Sequence, residues 1–514
     1  MDIGWITRAF RKPVSAEDSP RIAVAFEDGR SWSYQDLHQI SNRYANALAT
    51  FGVVPGSRVG IVMQNSLEYI GLYLAITKLG AIAVRINFRL VTEELEYILR
   101  DSSPVVLCLD SSMVDKIAPL AASLPIQHFI LLAPTSTSLP SWAEPWQVLD
   151  QGSDTELAYR PDESDPAMLM YTSGTTGRPK GALWTQGNLL WFGAIQVMRW
   201  HLSADTVSLM TGPMYHVGAI EDIGLPTLMM GGKVVILRSG QFDIGRVLSM
   251  IKRYQVTDAI LFPFMIYDLL QIENLQPDDL APLRHIYSGG DPLLPWAIER
   301  LQTQFPHIQL TQVYGLTEGT PIITSLDSPY DMHRADSVGT PLPLCEVRVV
   351  GDDGQQIEVG ETGEIWSRSP VVVREYWNNP KATEETFQDG WCHTGDLGTM
   401  DKDGMLRVVG RKKDMIRSGG ENIYPVEIED VLMRHPAIRE AAVIGIPDPQ
   451  YLETVCAVVV VRESMTLSEV EVISYCREHL AGYKRPRQVW FVSELPRTPS
   501  GKVTKHVLRS RLIK

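Results

Sequence analysis

The sequence lacks a long hydrophobic run. Nowhere do about 18 consecutive apolar residues occur in the 514-residue chain, so no helix is expected to span a membrane. The N-terminal stretch MDIGWITRAFRKP has no continuous apolar core of the kind that a signal peptide needs. The C-terminal letters RLIK do not form a peroxisomal S-K-L signal. These absences predict a protein without a transmembrane segment, located in the cytoplasm.

Cysteine and positive charge are also scarce. The five cysteines are odd in number and form no C-x-x-C pair, which predicts free thiols in a reducing compartment instead of disulfides or a zinc site. The chain has 47 Lys and Arg residues against 61 Asp and Glu residues, a net charge of -14. Because such a surface repels phosphate backbones, nucleic acid is not an expected partner.

What is present is an alternation of strand-like and helix-like segments. Arg58–Met63 and Lys233–Leu237 have the apolar composition of buried strands, and Glu68–Leu79 has that of a helix. This alternation predicts an α/β fold of mixed, mostly parallel layers. Between residues 335 and 410, short strands separated by glycine-rich turns predict a small β-barrel-like subdomain.

The C-terminal part has a different pattern. After a charged RKKD segment, several strands and one helix predict a small α+β domain. The helix, from about Leu467, is expected to begin at a capping box formed by Thr466 and Glu469. We therefore predict two domains, residues 1–412 and residues 413–514.

The most informative stretch is YTSGTTGRPKG, from Tyr171 to Gly181. Glycines let backbone N–H groups approach a ligand closely, and a concave run of N–H groups binds anions. The loop hydroxyls add donors, and Arg178 and Lys180 add positive charge. The stretch is predicted to hold a polyphosphate, although its spacing differs from that of a Walker A loop. A flexible surface turn is the alternative interpretation.

Four further motifs follow in order along the chain. They are YGLTEGT at 314–320, HTGDLG at 393–398, GRKKDMIRSGGENIYPVEIE at 410–429 and PRTPSGKVTKHVLR at 496–509. Together with the loop, they resemble the motifs of the adenylate-forming (AMP-binding) superfamily, in its acyl-CoA synthetase branch, over essentially the whole chain. The resemblance implies an ATP- and magnesium-dependent acid–CoA ligase. Such an enzyme joins a carboxylic acid to ATP, releasing pyrophosphate, and then transfers the acyl group from acyl-AMP to coenzyme A.

The resemblance implies roles for residues around the phosphates. Glu318 matches the family's magnesium ligand, and a hard cation prefers carboxylate oxygen together with water. Thr317 would contact the α-phosphate, and Thr176 would be a second metal ligand. The expected phosphate contacts are Thr172, Ser173, Gly174, Thr175, Thr176, Gly177 and Lys180.

The adenine and the acyl group would meet other residues of the N-terminal domain. By resemblance, Tyr314 would stack on adenine beside the close backbone of Gly289 and Gly290. His216 matches the gate between the acyl pocket and the pantetheine channel. A histidine near apolar residues is otherwise often a satisfied core residue, which is the alternative for His216.

Two cations and a carboxylate complete the implied catalytic set. Asp396 matches the aspartate that binds the ribose hydroxyls, and Arg411 would support the ribose or the phosphates. Lys502 matches the catalytic lysine, whose charge would reduce the repulsion between a carboxylate and the α-phosphate. Residues 479–514 contain nine Lys and Arg residues against one acid, Glu494, and this suits phosphate ligands.

The C-terminal domain is expected to be mobile, because it swings between the two reaction steps in this family. Lys413 matches the hinge position, and boundary residues of this kind absorb changes of backbone dihedral angle. After the swing, Gly419 and Gly420 would approach the pantetheine arm of coenzyme A. Lys484, in the basic C-terminal segment, is a further expected cofactor contact.

The segments expected to line the acyl pocket are largely apolar and predict a fatty or aryl carboxylic acid. Tyr215 and His216 stand where amino-acid-activating relatives carry an aspartate, so an amino acid is not expected. Glu221 and Asp222 are charged residues within one of these segments, either solvated or in contact with a polar group of the substrate. The four segments are Met214–Ile223, Phe262–Leu270, Tyr287–Leu293 and Val313–Ile322.

Two departures from the family pattern and three alternatives stay open. Asp291 stands where many acyl-CoA synthetases have alanine, and Leu452 replaces the glycine that usually follows Tyr451. The chain is alternatively a stand-alone adenylating enzyme that loads a carrier protein, a nucleotide-binding relative without catalysis, or a luminescent oxidative enzyme. The sequence is compatible with a homodimer and leaves the oligomeric state open.

Overall fold

The structure, a computed structural model, describes residues 1–11, 20–134, 136–172, 178–240, 242–328, 334–497 and 503–512. It divides into two compact units. The first unit comprises residues 1–347 and 367–393, and the second comprises residues 348–366 and 394–514. The chain passes between them three times, each time within a β-strand. The domain boundary predicted at residue 413 stays a prediction.

Two β-sheets form the framework of the first unit, and their strands pair mostly in parallel. The seven-stranded sheet has the spatial order Glu144–Pro145, His128–Leu132, Val106–Asp110, Arg58–Val62, Ile82–Arg85, Pro166–Thr172 and Lys180–Thr185. The nine-stranded sheet has the order Thr340–Pro341, Thr320–Asp327, Gln309–Leu316, His285–Gly289, Asp258–Ile260, Val207–Met210, Lys233–Ile236, Ile22–Phe26 and Ser31–Ser33. Antiparallel pairing occurs at the ends of both sheets.

Helices surround these sheets, and one of them contacts both. Helix Leu67–Lys78 packs against strands of each sheet, and almost all of its residues are buried. A helix in this position has no solvent face, which explains why its sequence is apolar on all sides. The described helices of the first unit are Trp5–Phe10, Tyr34–Thr50, Leu67–Lys78, Thr92–Ser102, Val114–Ala121, Gln147–Asp150, Gln186–Trp200, Val217–Ala219, Leu225–Met229, Ile244–Tyr254, Pro263–Leu270, Pro295–Gln304 and Pro380–Thr386, with a π-helical turn at Ile220–Gly224.

A third sheet of five strands follows in the chain. Its strands are Glu346–Val350, Gly363–Arg368, Phe387–Gln388, Trp391–Met400 and Leu406–Arg411. Turns join most of these strands, as the glycine-rich pattern between residues 335 and 410 predicts, and helix Pro380–Thr386 lies between Gly363–Arg368 and Phe387–Gln388. The small β-rich subdomain is therefore confirmed.

The second unit contains a mixed sheet with helices packed on it. The strand order is Glu421–Ile423, Ile416–Ser418, Leu452–Val461 and Ile438–Asp448, with Gln488–Phe491 beside Leu452–Val461. Its helices are Pro425–Met433, Glu469–His479 and Lys505–Leu512. Two apolar cores form around this sheet, one including Ile416 and Leu432, the other Ile444 and Leu508. The predicted fold class, with a large α/β part, a β-rich part and a small α+β part, is confirmed.

One local prediction was wrong. The capping box of helix Glu469–His479 is formed by Ser468 and Glu471, not by Thr466 and Glu469. Both pairs fit the Ser/Thr-x-x-Glu pattern, so the sequence alone did not separate them. Glu469 instead accepts a hydrogen bond from the backbone N–H of Val489, at 3.0 Å.

Within the described ranges, no helix combines the length and apolarity that a bilayer crossing requires.

Candidate functional site

The ends of the predicted phosphate loop are held together by a β-hairpin. Strand Pro166–Thr172 runs antiparallel to Lys180–Thr185, and Thr172 lies opposite Lys180 in the register. Tight pairing on both sides fixes where the loop begins and ends. The predicted contacts Ser173, Gly174, Thr175, Thr176 and Gly177 lie outside the described residues.

Glu318 lies at the base of this loop, in the turn between strands Gln309–Leu316 and Thr320–Asp327. Its Oε1 accepts hydrogen bonds from Thr172 Oγ1 at 2.7 Å and from Tyr376 OH at 3.0 Å. Burial and the Glu318 charge raise the pKa of Tyr376 far above its ordinary value, so the phenol keeps its proton and donates. The structure thus brings together Thr172 and Glu318, and the carboxylate is fixed in orientation.

A cation belongs to the same cluster. Lys180 Nζ lies 5.0 Å from the ring centre of Tyr376, within the range of a cation–π contact. Tyr376 therefore links the predicted phosphate ligand Lys180 to the predicted metal ligand Glu318. Sequence reasoning missed Tyr376, because it stands in none of the five motifs. Thr317 immediately precedes Glu318 in the same turn.

The carboxylate of Glu318 fits a magnesium ion. Two hydroxyl groups donate hydrogen bonds to its Oε1 and fix its orientation. A Mg²⁺ site in a protein commonly uses one carboxylate and fills its other positions with water and phosphate oxygens. No group of three or more His, Cys, Asp or Glu side chains in the described part of the chain is arranged to hold a metal by itself. Glu318 would hold the ion, and the ion would neutralise phosphate charge.

The predicted adenine contacts lie on neighbouring strands of the nine-stranded sheet. Gly289 pairs with Val313, which directly precedes Tyr314. A Cβ atom on Gly289 would lie 2.6 Å from Val313 Cγ2, so the close approach of these strands requires glycine. Gly290 has φ +91°, a conformation that other residues rarely adopt. Gly289, Gly290 and Tyr314 are therefore gathered at one strand end, where ligands bind in open α/β sheets.

The predicted gate residue, His216, begins a short helix and is held through its backbone. Its Nδ1 accepts a hydrogen bond from the backbone N–H of Gly218 at 3.0 Å. Arg85 Nη2 donates to the carbonyl oxygens of His216, at 3.1 Å, and of Met214. Arg85 was also missed, although a single arginine inside the apolar strand IAVR is a signal for a buried partner.

That partner is Glu221. Arg85 Nη1 lies 2.5 Å from Glu221 Oε1, and both side chains are fully buried. Tyr73 OH donates to the same oxygen at 3.0 Å, and Gln196 Nε2 donates to the Glu221 carbonyl at 2.8 Å. Glu221, for which the sequence left solvation or substrate contact open, is therefore a buried ion-pair partner.

In the second unit, two predicted residues form one pair. Asp396 and Arg411 lie opposite each other on antiparallel strands, and Arg411 Nε is 2.7 Å from Asp396 Oδ1. The backbone N–H of Asp396 donates to Thr394 Oγ1 at 3.1 Å. Asp396 is almost completely buried, so this carboxylate is held in a fixed orientation, as ribose recognition would need.

Other predicted residues of the second unit lie in a glycine turn and in a second ion pair. Gly419 and Gly420 form a tight turn with φ +60° and +89°, and a Cβ on Gly420 would meet no atom within 4 Å. Lys484 Nζ is 2.6 Å from Glu427 Oε1, so it forms an ion pair within the unit. Lys413 lies in the short 3-10 helical turn Lys412–Asp414, which directly follows strand Leu406–Arg411. Lys502 lies outside the described residues.

Comparison with known proteins adds independent findings. The family model for AMP-binding enzymes matches residues 13–377, and the model for the AMP-binding enzyme C-terminal domain matches residues 427–502. The chain is 36% identical to a feruloyl-CoA synthase from Amycolatopsis sp., over 96% of this chain and 97% of the relative. It is 36% identical to an indoleacetate–CoA ligase from Aromatoleum aromaticum, over 95% and 94%. The solved structure of ATP-bound MatB from Rhodopseudomonas palustris has a TM-score of 0.90 and 31% identity, over 99% of both chains.

Proposed function

The chain belongs to the family of AMP-binding enzymes, and we propose that it activates an apolar aryl or fatty carboxylic acid. It is an ATP-dependent acid–CoA ligase, with ATP and coenzyme A as substrates. The acid and ATP give acyl-AMP and pyrophosphate, and coenzyme A then gives acyl-CoA and AMP. The observation that carries the site assignment is the fixed carboxylate of Glu318 at the base of the phosphate loop.

The first step requires charge to be neutralised around the triphosphate, because phosphoryl transfer depends mainly on positioning and electrostatic stabilisation. In our proposal, Lys180 and the loop residues hold the β- and γ-phosphates. Glu318, with Thr176, would hold magnesium, and the ion would supply positive charge that neutralises the phosphates. Thr317 contacts the α-phosphate, and Lys502 reduces its repulsion of the incoming carboxylate.

The proposed nucleoside contacts fall into two sets, one for adenine and one for the ribose. We assign Tyr314, Gly289 and Gly290 to adenine, since they meet at one strand end. Asp396 accepts hydrogen bonds from the ribose hydroxyls, and Arg411, already paired with it, keeps that carboxylate oriented.

The second step brings in the thiol. We assign Gly419 and Gly420 to the pantetheine arm; in support, a Cβ on the exposed Gly420 would meet no described atom within 4 Å. Lys413 is the proposed hinge, and His216 the proposed gate. Lys484 is expected to contact the cofactor less strongly in this scheme, because it already forms an ion pair with Glu427.

The acid is proposed from the pocket segments and from the relatives. Residues 214–223 and 262–270 are mostly buried and apolar, which suits an aryl or alkyl group. Two similar proteins are a feruloyl-CoA synthase and an indoleacetate–CoA ligase, and both names denote aryl acids. A carrier protein in place of free coenzyme A is the second candidate, because the first step requires the same residues in both cases.

The deciding experiment measures acid-dependent pyrophosphate release from ATP across fatty, aryl and bicyclic acids. Each acid is tested with coenzyme A, with a pantetheinylated carrier protein, and without a thiol. We expect AMP and acyl-CoA to form from an aryl or fatty acid. Adenylate formation that accelerates only with the carrier protein would overturn the assignment of the acceptor. Turnover restricted to short polar acids would overturn the assignment of the acid.

Location and assembly are separate proposals. We place the protein in the cytoplasm, because none of its five cysteines, all of which the structure describes, forms a disulfide. Fractionation of the native host checks this location. A homodimer is the proposed alternative to a monomer, and light scattering coupled to size-exclusion chromatography decides between them.

A further inference from the structure

The first unit contains a segment that crosses beside the phosphate loop and belongs to none of the five motifs. Residues 369–379, called the strap below, contain no helix or strand. The N–H of Val373 nevertheless donates to the carbonyl oxygen of Glu318 at 3.0 Å. The N–H of Trp377 donates to the carbonyl oxygen of Gly181 at 2.7 Å. The strap therefore connects the turn that carries the predicted metal ligand with the strand that follows the loop.

Side chains anchor both ends of the strap. At its start, Ser369 Oγ and Thr320 Oγ1 share a hydrogen bond at 2.6 Å. Near its end, Nε1 of Trp377 and Nδ2 of Asn378 donate to one carbonyl oxygen, each at 3.1 Å. That oxygen belongs to Asp101, at the end of a helix of the same unit. An irregular segment with fixed points on both sides has little freedom, so the fold also determines where a side chain in its middle lies.

Tyr376 is that side chain, and its two ends make different contacts. Its backbone N–H donates to Thr383 Oγ1 at 2.9 Å, and the residue is almost completely buried. Its hydroxyl group donates to Glu318 Oε1 at 3.0 Å. The face of its ring lies 5.0 Å from Lys180 Nζ. Because a phenol O–H donates hydrogen bonds and a ring face attracts cations, one tyrosine holds both charged groups.

The two oxygen atoms of the Glu318 carboxylate are used differently. Oε1 accepts hydrogen bonds from Thr172 Oγ1 and from Tyr376 OH. All hydrogen bonds that the described residues donate to this carboxylate go to Oε1, which leaves Oε2 to other partners. Carboxylates that bind metal ions are commonly held by hydrogen bonds of this kind.

We propose that Tyr376 is a positioning residue through which magnesium and the polyphosphate of ATP are bound cooperatively. Its hydroxyl group orients Glu318 for the ion, and its ring holds Lys180 for the phosphates. The inference rests on the proposed function, because it assumes that these two residues contact the metal and ATP. Since one fixed side chain orders both groups, a ligand at either group reduces the cost of ordering the other. Magnesium and ATP also attract each other directly, so Tyr376 accounts for a part of the cooperativity.

The test measures this cooperativity as a ratio of dissociation constants. Isothermal titration calorimetry follows the binding of an ATP analogue whose α- and β-phosphates are joined by a methylene group, so that no acyl-AMP forms. The titration is performed in excess EDTA and in excess magnesium, and the ratio of the two constants is the factor by which magnesium strengthens binding. Tyr376→Phe keeps the ring and removes the hydroxyl group. It should reduce the ratio about tenfold, with the dissociation constant in EDTA nearly unchanged.

A second variant isolates the ring. Tyr376→Leu also removes the cation–π contact with Lys180, so it should weaken binding in EDTA by about threefold or more. Equal dissociation constants of Tyr376→Leu and Tyr376→Phe in EDTA would overturn the role of the ring.

The control removes a phenol hydroxyl group elsewhere in the same unit. Tyr254 OH donates to the carbonyl oxygen of Phe26 at 2.9 Å, so Tyr254→Phe makes the same chemical change at another backbone contact. It should leave both dissociation constants unchanged. Thermal unfolding checks that each variant is folded. If folded Tyr376→Phe keeps the wild-type ratio, or weakens binding equally with and without magnesium, Tyr376 does not couple the two ligands.

Failure of the proposed function has a different result. If wild type binds no analogue under either condition and releases no pyrophosphate with any acid, the proposed function is refuted, together with the role of Tyr376. If magnesium strengthens binding to the same extent in wild type and in Tyr376→Phe, the proposed function stands and the role of Tyr376 alone is refuted.

Discussion

Replacing Glu221 by glutamine is expected to destabilise the first unit by about 3–5 kcal/mol. Glu221 and Arg85 are both fully buried, with 2.5 Å between Oε1 and Nη1. Glutamine keeps the shape and can still accept a hydrogen bond from Tyr73. However, it leaves the guanidinium group buried without a counter-charge, and the cost of an unpaired buried charge sets the magnitude.

The size of the unit determines how this loss appears in a melting experiment. With an unfolding entropy of about 2 cal/mol/K per residue, a loss of about 3–5 kcal/mol corresponds to a decrease of about 4–6 °C in Tm. Arg85→Met should cost a similar amount, because it strands the Glu221 carboxylate. The double variant should be less destabilised than the sum of the two, by about 1–3 kcal/mol, since neither charge is then left alone.

Thermal unfolding followed by circular dichroism, at one fixed scan rate, measures these changes. Glu96→Gln is the matched control, because Glu96 and Arg100 form an exposed ion pair at 2.7 Å on one helix. That control should change stability by less than about 0.5 kcal/mol. If Glu221→Gln lowers Tm no more than Glu96→Gln, or if the Glu221 and Arg85 effects simply add, the reasoning about a coupled buried pair is wrong.

Three further predictions concern separate parts of the chain. Lys502→Ala should abolish adenylate formation and spare transfer from preformed acyl-AMP to coenzyme A, and equal loss in both half-reactions would refute its role. Burial lowers the pKa of His38 from 6.5 to about 4. Between these two pH values the unfolded chain binds a proton at His38 and the folded chain does not, so the free energy of unfolding should fall as the pH drops from 6.5 to 4. His38→Gln should flatten this dependence in thermal melts at several pH values, and an unchanged slope would exclude His38 as the cause. Leu452 has φ +74°, so Leu452→Gly should raise stability by about 0.5–1 kcal/mol, whereas Leu452→Ala, which keeps the Cβ, should not.

Much of the fold was predictable, because local sequence patterns indicate where strands and helices form. Arg58–Met63 and Lys233–Leu237 are apolar runs of strand length, and strands occupy Arg58–Val62 and Lys233–Ile236. The order of the motifs also indicated the family, and the comparisons show that family. Where two local patterns competed, as at Ser468 and Thr466, the sequence did not decide, since a cap depends on which hydroxyl the folded chain places at the helix end.

The candidate site likewise contains residues that the sequence predicted and residues that it did not. Thr172 and Glu318 were predicted from their motifs, and a hydrogen bond joins them across 146 positions of the chain. Tyr376, which fixes the same carboxylate, belongs to no motif, because its role depends only on where the fold places its hydroxyl group. The departure at Leu452 was visible in the sequence, but its positive φ was not.

The sequence by itself determined the family, and through the family it predicted the chemistry: a glycine-rich anion loop, an acid for a metal, a cation for the carboxylate, and apolar segments for the acid. Local motifs suffice for the family, because their order and residue types can be read directly from the chain. Only the tertiary structure decided that Glu221 forms an ion pair with Arg85, whereas Oδ1 of the adjacent Asp222 accepts no hydrogen bond from the described part of the chain. These two acids are equivalent in the sequence, and they differ because pairing and desolvation are set by neighbours brought together from distant parts of the chain.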